Sequence, residues 1–376
     1  MDISSEMVFN LIPLFLANVL GAGGTVIGAV EGVAESVAAL LRVFTGHLSD
    51  RLRRRKWLAV LGYGISALSK PFFYLAGSWW HVALARWADR VGKGIRTAPR
   101  DALVADSIDA GNRGLAFGFH RAADTAGAFL GILGALLAVG LTQGGDLHLQ
   151  AQTFRVIVLV SLVPAVLAVL SLAALAKEPQ TSRRSSNVPL HFSGLGRPFF
   201  LFLFLVGIFE LGNSADAFLL LRAQTLGANV LGILGMLALF NLVYSLTSTP
   251  AGALSDRIPR KALILGGWLF YALVYFGVAL ARERWSMWAI YAAYGVYYGV
   301  AYGTARALIA DLVPPELRGT AYGAYATVVG IMAFPASLLA GILWDALGPP
   351  APFFFGGSLA LLASFGLALW RAKPQR

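Results

Sequence analysis

Apolar stretches of about 20 residues recur from one end of this chain to the other, and they decide what it can fold into. Lipid offers no partner to backbone N–H and C=O groups, so such stretches cross a bilayer as helices. Charged residues make up only 13% of the chain, against ~25% in soluble domains. Length alone would suggest two or three soluble domains, but the hydropathy overrides that expectation. The chain is predicted to be an all-α integral membrane protein. Spans are predicted near 1–21, 25–46, 57–76, 79–107, 114–141 and 153–176. Six more follow near 198–222, 229–252, 262–281, 285–312, 319–346 and 351–371.

The net charge of +11 does not form a nucleic-acid patch. Its basic residues fall in short runs between apolar stretches: DRLRRRK at 50–56, Arg113, Arg183 and Arg184, DRIPRK at 256–261, Arg318 and the tail RAKPQR. The alternate loops are poor in Lys and Arg, so the basic side and both termini are placed in the cytoplasm of a cell with this inner membrane. The first residues, MDISSEM, lack the basic segment of a cleavable signal. Cysteine is absent, which excludes disulfide and thiol chemistry.

The two halves of the sequence echo each other. GHLSDRLRRRK at 46–56 matches GALSDRIPRK at 252–261, and ALVADSIDAGNRGLAFG at 102–118 matches ALIADLVPPELRGTAYG at 307–323. The offsets are 206 and 205 residues, so twelve spans divide into two parallel six-helix repeats. The predicted domains are a bundle at 1–176, a cytoplasmic linker at 177–197 and a bundle at 198–376. Parallel six-helix halves related by an axis along the membrane normal describe one transporter architecture.

The G-x-L-S-D-R loop followed by a basic run resembles the signature loop of the major facilitator superfamily. Gly46, Asp50, Arg51, Arg54 and Arg55 match it, and Gly252, Asp256, Arg257, Arg260 and Lys261 repeat it. RWADRVGKG, Arg86 to Gly94, resembles the family's fourth-helix motif, departing from it at Asp89 and Arg90. GAFLGILG at 127–134 is similar to the antiporter motif, with Ile132 where that motif has proline. The resemblance implies the major facilitator fold, a functional monomer, a small-molecule substrate, no cofactor and no resident metal. It also implies a cytoplasmic gate. Gly46, Asp50, Arg51, Arg54, Asp106 and Arg113 are its predicted members in the first half, with Gly252, Asp256, Arg257, Asp311 and Arg318 in the second.

The repeat exposes a short first helix. Leu20-Gly21 aligns with Leu226-Gly227, and only Met7 to Leu20 is cleanly apolar. That is too short for a core ~30 Å thick at 1.5 Å per residue. The expectation is an incomplete first helix or a chain that extends upstream. Asp2 and Glu6 would then lie at membrane depth.

An ionisable residue in the bilayer is a functional candidate by default. Glu31 and Glu35 are spaced i,i+4 on the second helix. Arg86, Asp89, Arg90, Lys93 and Arg100 form one stripe of the fourth, which must face protein or water. His120, Arg121 and Asp124 follow on the fifth, and Lys70 precedes Pro71 on the third. The second half is sparser, with Glu210, Asn213 and Asp216 on the seventh helix and Asn241 on the eighth. It is instead aromatic: Tyr291, Tyr294, Tyr297, Tyr298 and Tyr302 run down the tenth. The first half is therefore predicted to handle charge and proton coupling, and the second to offer the substrate an aromatic wall. The predicted substrate or proton ligands are Asp2, Glu6, Glu31, Glu35, Arg86, Asp89, Arg90, Lys93, His120, Asp124, Asn213, Asp216, Asn241 and Tyr298. Partner-satisfied structural ion pairs and helix packing are the competing reading of the same residues.

GKGIRT at 92–97 has Gly94 where a phosphate loop needs a hydroxyl, and no metallohydrolase or nucleophile-elbow pattern occurs. An ion gradient is then the expected energy source. Buried carboxylates suit it, because burial and a neighbouring arginine act on their protonation in opposite directions. Proton-coupled efflux of an organic solute is the leading reading. Import of an anionic solute such as an organic acid or siderophore is the alternative, since Arg binds carboxylate bidentately. A membrane enzyme or scaffold is the third.

Overall fold

The computed structural model describes residues 1–52, 55–108, 113–178, 194–255, 258–301, 304–314 and 317–370. Its regular structure is helical, with no strand among the described residues. The helices are α1 (Asp2–Phe9), α2 (Ile12–Asn18), α3 (Gly24–Leu52), α4 (Arg55–Tyr74), α5 (Trp79–Asp106), α6 (Arg113–Thr142) and α7 (Ala151–Leu175). Then follow α8 (Gly196–Gly212), α9 (Ala217–Thr225), α10 (Val230–Ser255), α11 (Arg260–Leu280), α12 (Arg284–Ala301), α13 (Thr304–Leu312), α14 (Arg318–Leu347) and α15 (Ala351–Leu369). They fall on the predicted spans to within a few residues.

Among the described residues, seven stretches are long and apolar enough to cross a membrane by length and composition alone: Ala122–Thr142, Ala151–Leu175, Gly196–Thr225, Val230–Ser248, Arg260–Leu280, Arg318–Leu347 and Ala351–Leu369. Several of the other predicted spans carry ionisable residues. The charged stripe of α5, for example, can enter a bilayer only against protein or water.

The tenth predicted span is described as α12 and α13, with 302 and 303 outside the described residues, and two others break within the described residues. The first is α1 and α2. Pro13 lies at the start of α2 and has no N–H to give the Phe9 carbonyl, so the helix breaks there. The seventh is α8 and α9. The chain leaves α8 at Asn213, with φ −93° and ψ 77°, in a Gly-Asn-Ser sequence whose residues favour non-helical backbone.

The chain forms two compact units. One is Met1–Ala22 with Val33–Val188, and the other is Gly23–Gly32 with Pro189–Arg376. In the first, α4 and α5 pack most extensively, and α1 lies against α6 and α7. Gly62 and Gly92 bring the α4 and α5 backbones together. A Cβ on either would stand 2.6 Å from the other's carbonyl oxygen, so neither position accepts a side chain. Glu178 caps the start of α4, accepting from Arg55 N at 2.6 Å and Lys56 N at 3.0 Å.

In the second unit, α10 packs on α12 and α11 on α15. Asp345 of α14 caps the start of α3. It accepts from Gly24 N at 2.7 Å, Thr25 N at 2.8 Å and Thr25 Oγ1 at 2.6 Å, filling the free N–H groups of that helix end. Arg222 of α9 closes the other end of a helix. Its guanidinium donates to the Val278 and Ala279 carbonyls in the last turn of α11 and to the Ala281 carbonyl just after it, and it is buried. Arg222→Leu is expected to leave those carbonyls unsatisfied. The cost is about 1–3 kcal/mol, read as a lower unfolding temperature in detergent.

Burial is inverted relative to a soluble protein. Lys70, Arg86, Asp89, Arg90 and Arg96 are buried, while Leu68, Phe72, Leu141, Leu175, Phe204 and Leu246 are exposed. Lipid is the solvent that makes this favourable.

Candidate functional site

The first unit gathers its charges around the break between α1 and α2. Phe9 ends α1, and three cations stand over its ring. Lys70 Nζ is 4.6 Å from the ring centroid, Arg86 Cζ 4.4 Å and Arg90 Cζ 5.4 Å. Desolvated cation–π contacts of this kind contribute ~2 kcal/mol or more each. Lys70 is fully buried on α4 and donates to the Ser4 carbonyl at 3.2 Å. Arg96 donates to Ser66 Oγ at 2.8 Å and lies over Tyr63.

Two carboxylates offset these cations. Asp89 is 1% exposed, acts electrostatically on Lys70 and Lys93, and leaves Oδ1 without a hydrogen-bond partner. Glu35 on α3 pairs with Arg90 at 3.3 Å. The Arg90 side chain is 7% exposed and that of Glu35 is 47% exposed, so the pair joins a buried cation to an accessible acid. Lys93 lies half-buried one turn further along α5. The predicted stripe of α5 therefore faces inward, against α1, α2 and α4 rather than lipid.

Glu31 and Glu35 share a helix face but not an environment. Glu31 is buried within the stretch of α3 that belongs to the second unit, whereas Glu35 belongs to the first. A third group lies along α1 and α6. The Asp2 and Asp124 side chains interact with each other. His120 Nδ1 is 3.2 Å from Asp124 Oδ2, and Arg100 lies 4.0 Å from the same oxygen. Glu6 accepts from Asn10 Nδ2 at 2.9 Å.

The second unit brings together Asn213 and Asp216 at the α8–α9 break. Tyr271 donates to Asn213 Oδ1 at 3.0 Å, Tyr294 donates to Asp216 Oδ1 at 2.8 Å, and Asn213 donates to Glu210 Oε2 at 3.0 Å. Tyr298 packs in the same aromatic cluster, 5.0 Å from Tyr294 and 5.4 Å from Phe240. Asn241 donates to Leu237 O, one turn back in its own helix, at 2.9 Å. Tyr302 lies outside the described residues.

The predicted gate is described in part. Arg55 bonds Asp106 in the first unit, and Arg260 bonds Asp311 at 2.6 Å in the second. Each pair spans 51 residues, so the sequence repeat returns as a repeated ion pair. Arg318 donates to the Ala310 carbonyl at 3.1 Å. Gly46 faces Ala98 of α5. Arg54, Asp256 and Arg257 lie outside the described residues, as do the side-chain surroundings of Asp50, Arg51, Arg113 and Gly252. Arg55 and Arg260 are not among the predicted gate members, although both stand in the basic runs that mark the loop. Lys70 and Glu210 are not among the predicted substrate or proton ligands, although each is an ionisable residue inside a span.

A family model described as Major Facilitator Superfamily matches residues 1–332 and 215–376. An uncharacterized MFS-type transporter of Methanocaldococcus jannaschii is 35% identical over 368 residues, covering 96% of this chain and 90% of that one. A multidrug resistance protein, MdtG, of Serratia proteamaculans is 33% identical over 187 residues, 46% of this chain and 44% of that one. Among solved structures, the inward-facing, occupied form of a bacterial homolog of the human lysosomal transporter Spinster aligns with a TM-score of 0.78. It is 15% identical and covers 98% of this chain and 93% of that one, a likeness of fold.

Proposed function

This chain belongs to the Major Facilitator Superfamily, and from that membership we propose that it is a proton-coupled efflux carrier of a small organic solute. The family and the fold are those of multi-pass membrane transporters rather than enzymes. The proposal places it in the cytoplasmic membrane with both termini inside, working as a monomer. Residues 1–176 and 198–376 are its two six-helix bundles, joined by the linker at 177–197, and they alternate access to the substrate. The Arg55–Asp106 and Arg260–Asp311 pairs belong to its cytoplasmic gate.

The observation that carries the coupling is the Glu35–Arg90 pair beside Asp89. Protonation of the accessible Glu35 releases Arg90, and the partnerless Asp89 oxygen is a second acceptor for the buried cations around it. A proton is thereby converted into a rearrangement of a buried charge cluster. Efflux draws support from the likeness of nearly half the chain to a protein named for multidrug resistance. Import of an organic anion is the second reading, favoured by the excess of cations around Phe9. Deleting the gene in its host separates the two. Heightened sensitivity to organic compounds is the expected result, and a new growth requirement for an organic acid would overturn efflux.

A further inference from the structure

In the second unit, the break between α8 and α9 is flanked by two acids, Glu210 and Asp216. α8 ends at Gly212 and α9 begins at Ala217, so Asn213 to Asp216 form a short non-helical bridge between helix ends. Glu210 closes α8 on one side and Asp216 precedes α9 on the other. Among the described residues, Glu210 has the Asn213 amide as its partner and no cation. The nearby Arg222 is committed to the end of α11.

The acids are set in rings. Tyr271 from α11 and Tyr294 from α12 hold the Asn213 and Asp216 side chains in place. Tyr297 lies 5.0 Å from Tyr271 and 5.5 Å from Tyr298, while Phe240 and Tyr244 of α10 complete the cluster. Tyr271, Tyr275 and Tyr294 are buried, whereas Tyr297, Tyr298, Tyr244, Glu210 and Asn213 are half-exposed and Asp216 is exposed. The accessible surface is thus carboxylate, amide oxygen and aromatic ring. Beneath it the Tyr291 hydroxyl, one turn from Tyr294 and within the field of Asp216, is 3% exposed and has no hydrogen-bond partner. A buried hydroxyl in that state is stabilised by any group that supplies a donor.

We infer that the α8–α9 break and its tyrosine cluster bind a primary organic ammonium group. The carboxylates attract it, the amide and tyrosine oxygens accept its N–H groups, and the half-exposed rings face the cation and its organic body. An anion would meet two carboxylates. A hydrated metal ion would gain nothing from the rings. The inference rests on the reading of the chain as a carrier of organic solutes and gives that solute a charge.

The test is equilibrium binding to the purified full-length protein in detergent, followed by tyrosine fluorescence and thermal shift. The probe is phenethylammonium chloride, compared with uncharged 2-phenylethanol and sodium chloride. Saturable binding of the ammonium compound alone is expected, weakened roughly tenfold or more by Asp216→Asn and by Glu210→Gln. Arg155→Ala, at an exposed position of α7 in the other unit, should leave it unchanged. Equal effects of 2-phenylethanol or sodium chloride on the wild-type protein would overturn the inference whether or not any variant folds. Retained affinity in both acid variants would overturn it as well. Because binding is read without a gradient, its failure leaves proton-driven efflux standing. Binding without proton-driven flux would sink the efflux reading and keep the site.

Discussion

Asp89→Ala is expected to lower the unfolding temperature of the detergent-purified protein by roughly 5–10 °C, the largest stability loss among single changes in the charge cluster. The reason is a count of charges in a dry place. Lys70, Arg86, Arg90 and Arg96 are all buried, and Asp89 at 1% exposure is the anion buried with them. Removing one member of a buried network leaves uncompensated charge, at about 3–5 kcal/mol. Asp89→Asn keeps the shape and loses the charge, so it should show a similar direction of change. Lys70→Met in the same background should restore part of the loss by removing a surplus cation. An unchanged unfolding temperature in Asp89→Ala would mean that Asp89 is not the offsetting charge.

Glu35→Gln is expected to do the reverse, leaving stability nearly intact and abolishing uphill transport. The Glu35 side chain is 47% exposed, and the buried Asp89 remains among the buried cations when Glu35 is neutralised. Its role in the proposed mechanism is to lose and regain the Arg90 partner as it titrates. Glutamine cannot titrate, so proton-driven accumulation should fall to background. Exchange of substrate down its own gradient, which needs no proton, should continue. Loss of both modes would make Glu35 a substrate ligand or a structural residue instead of a coupling one.

Much of this was legible in the sequence because it is carried by sums and repeats. A span is an average over many residues, and two offsets of nearly equal size place the second half on the first. The Arg55–Asp106 and Arg260–Asp311 pairs were not legible as pairs. A basic run says that a cation is present and leaves open which one reaches the acid 51 residues on. The caps made by Glu178 and Asp345 join positions 123 and 321 residues apart, and no local pattern marks them. Lys70 looked like one charge before a proline. Its place over Phe9 depends on the Pro13 break some 60 residues earlier. Glu31 and Glu35 looked equivalent from their spacing, yet α3 passes from one unit to the other between them. Periodicity defines a face but not what covers it.

The most direct test of the central claim is flux in reconstituted vesicles under an imposed pH gradient, with a panel of organic cations and organic anions offered in turn. The expected result is uphill movement of at least one organic cation, collapsed by a protonophore and absent in Glu35→Gln vesicles. Uphill movement that survives the protonophore, or that persists undiminished in Glu35→Gln, would contradict proton coupling through this pair.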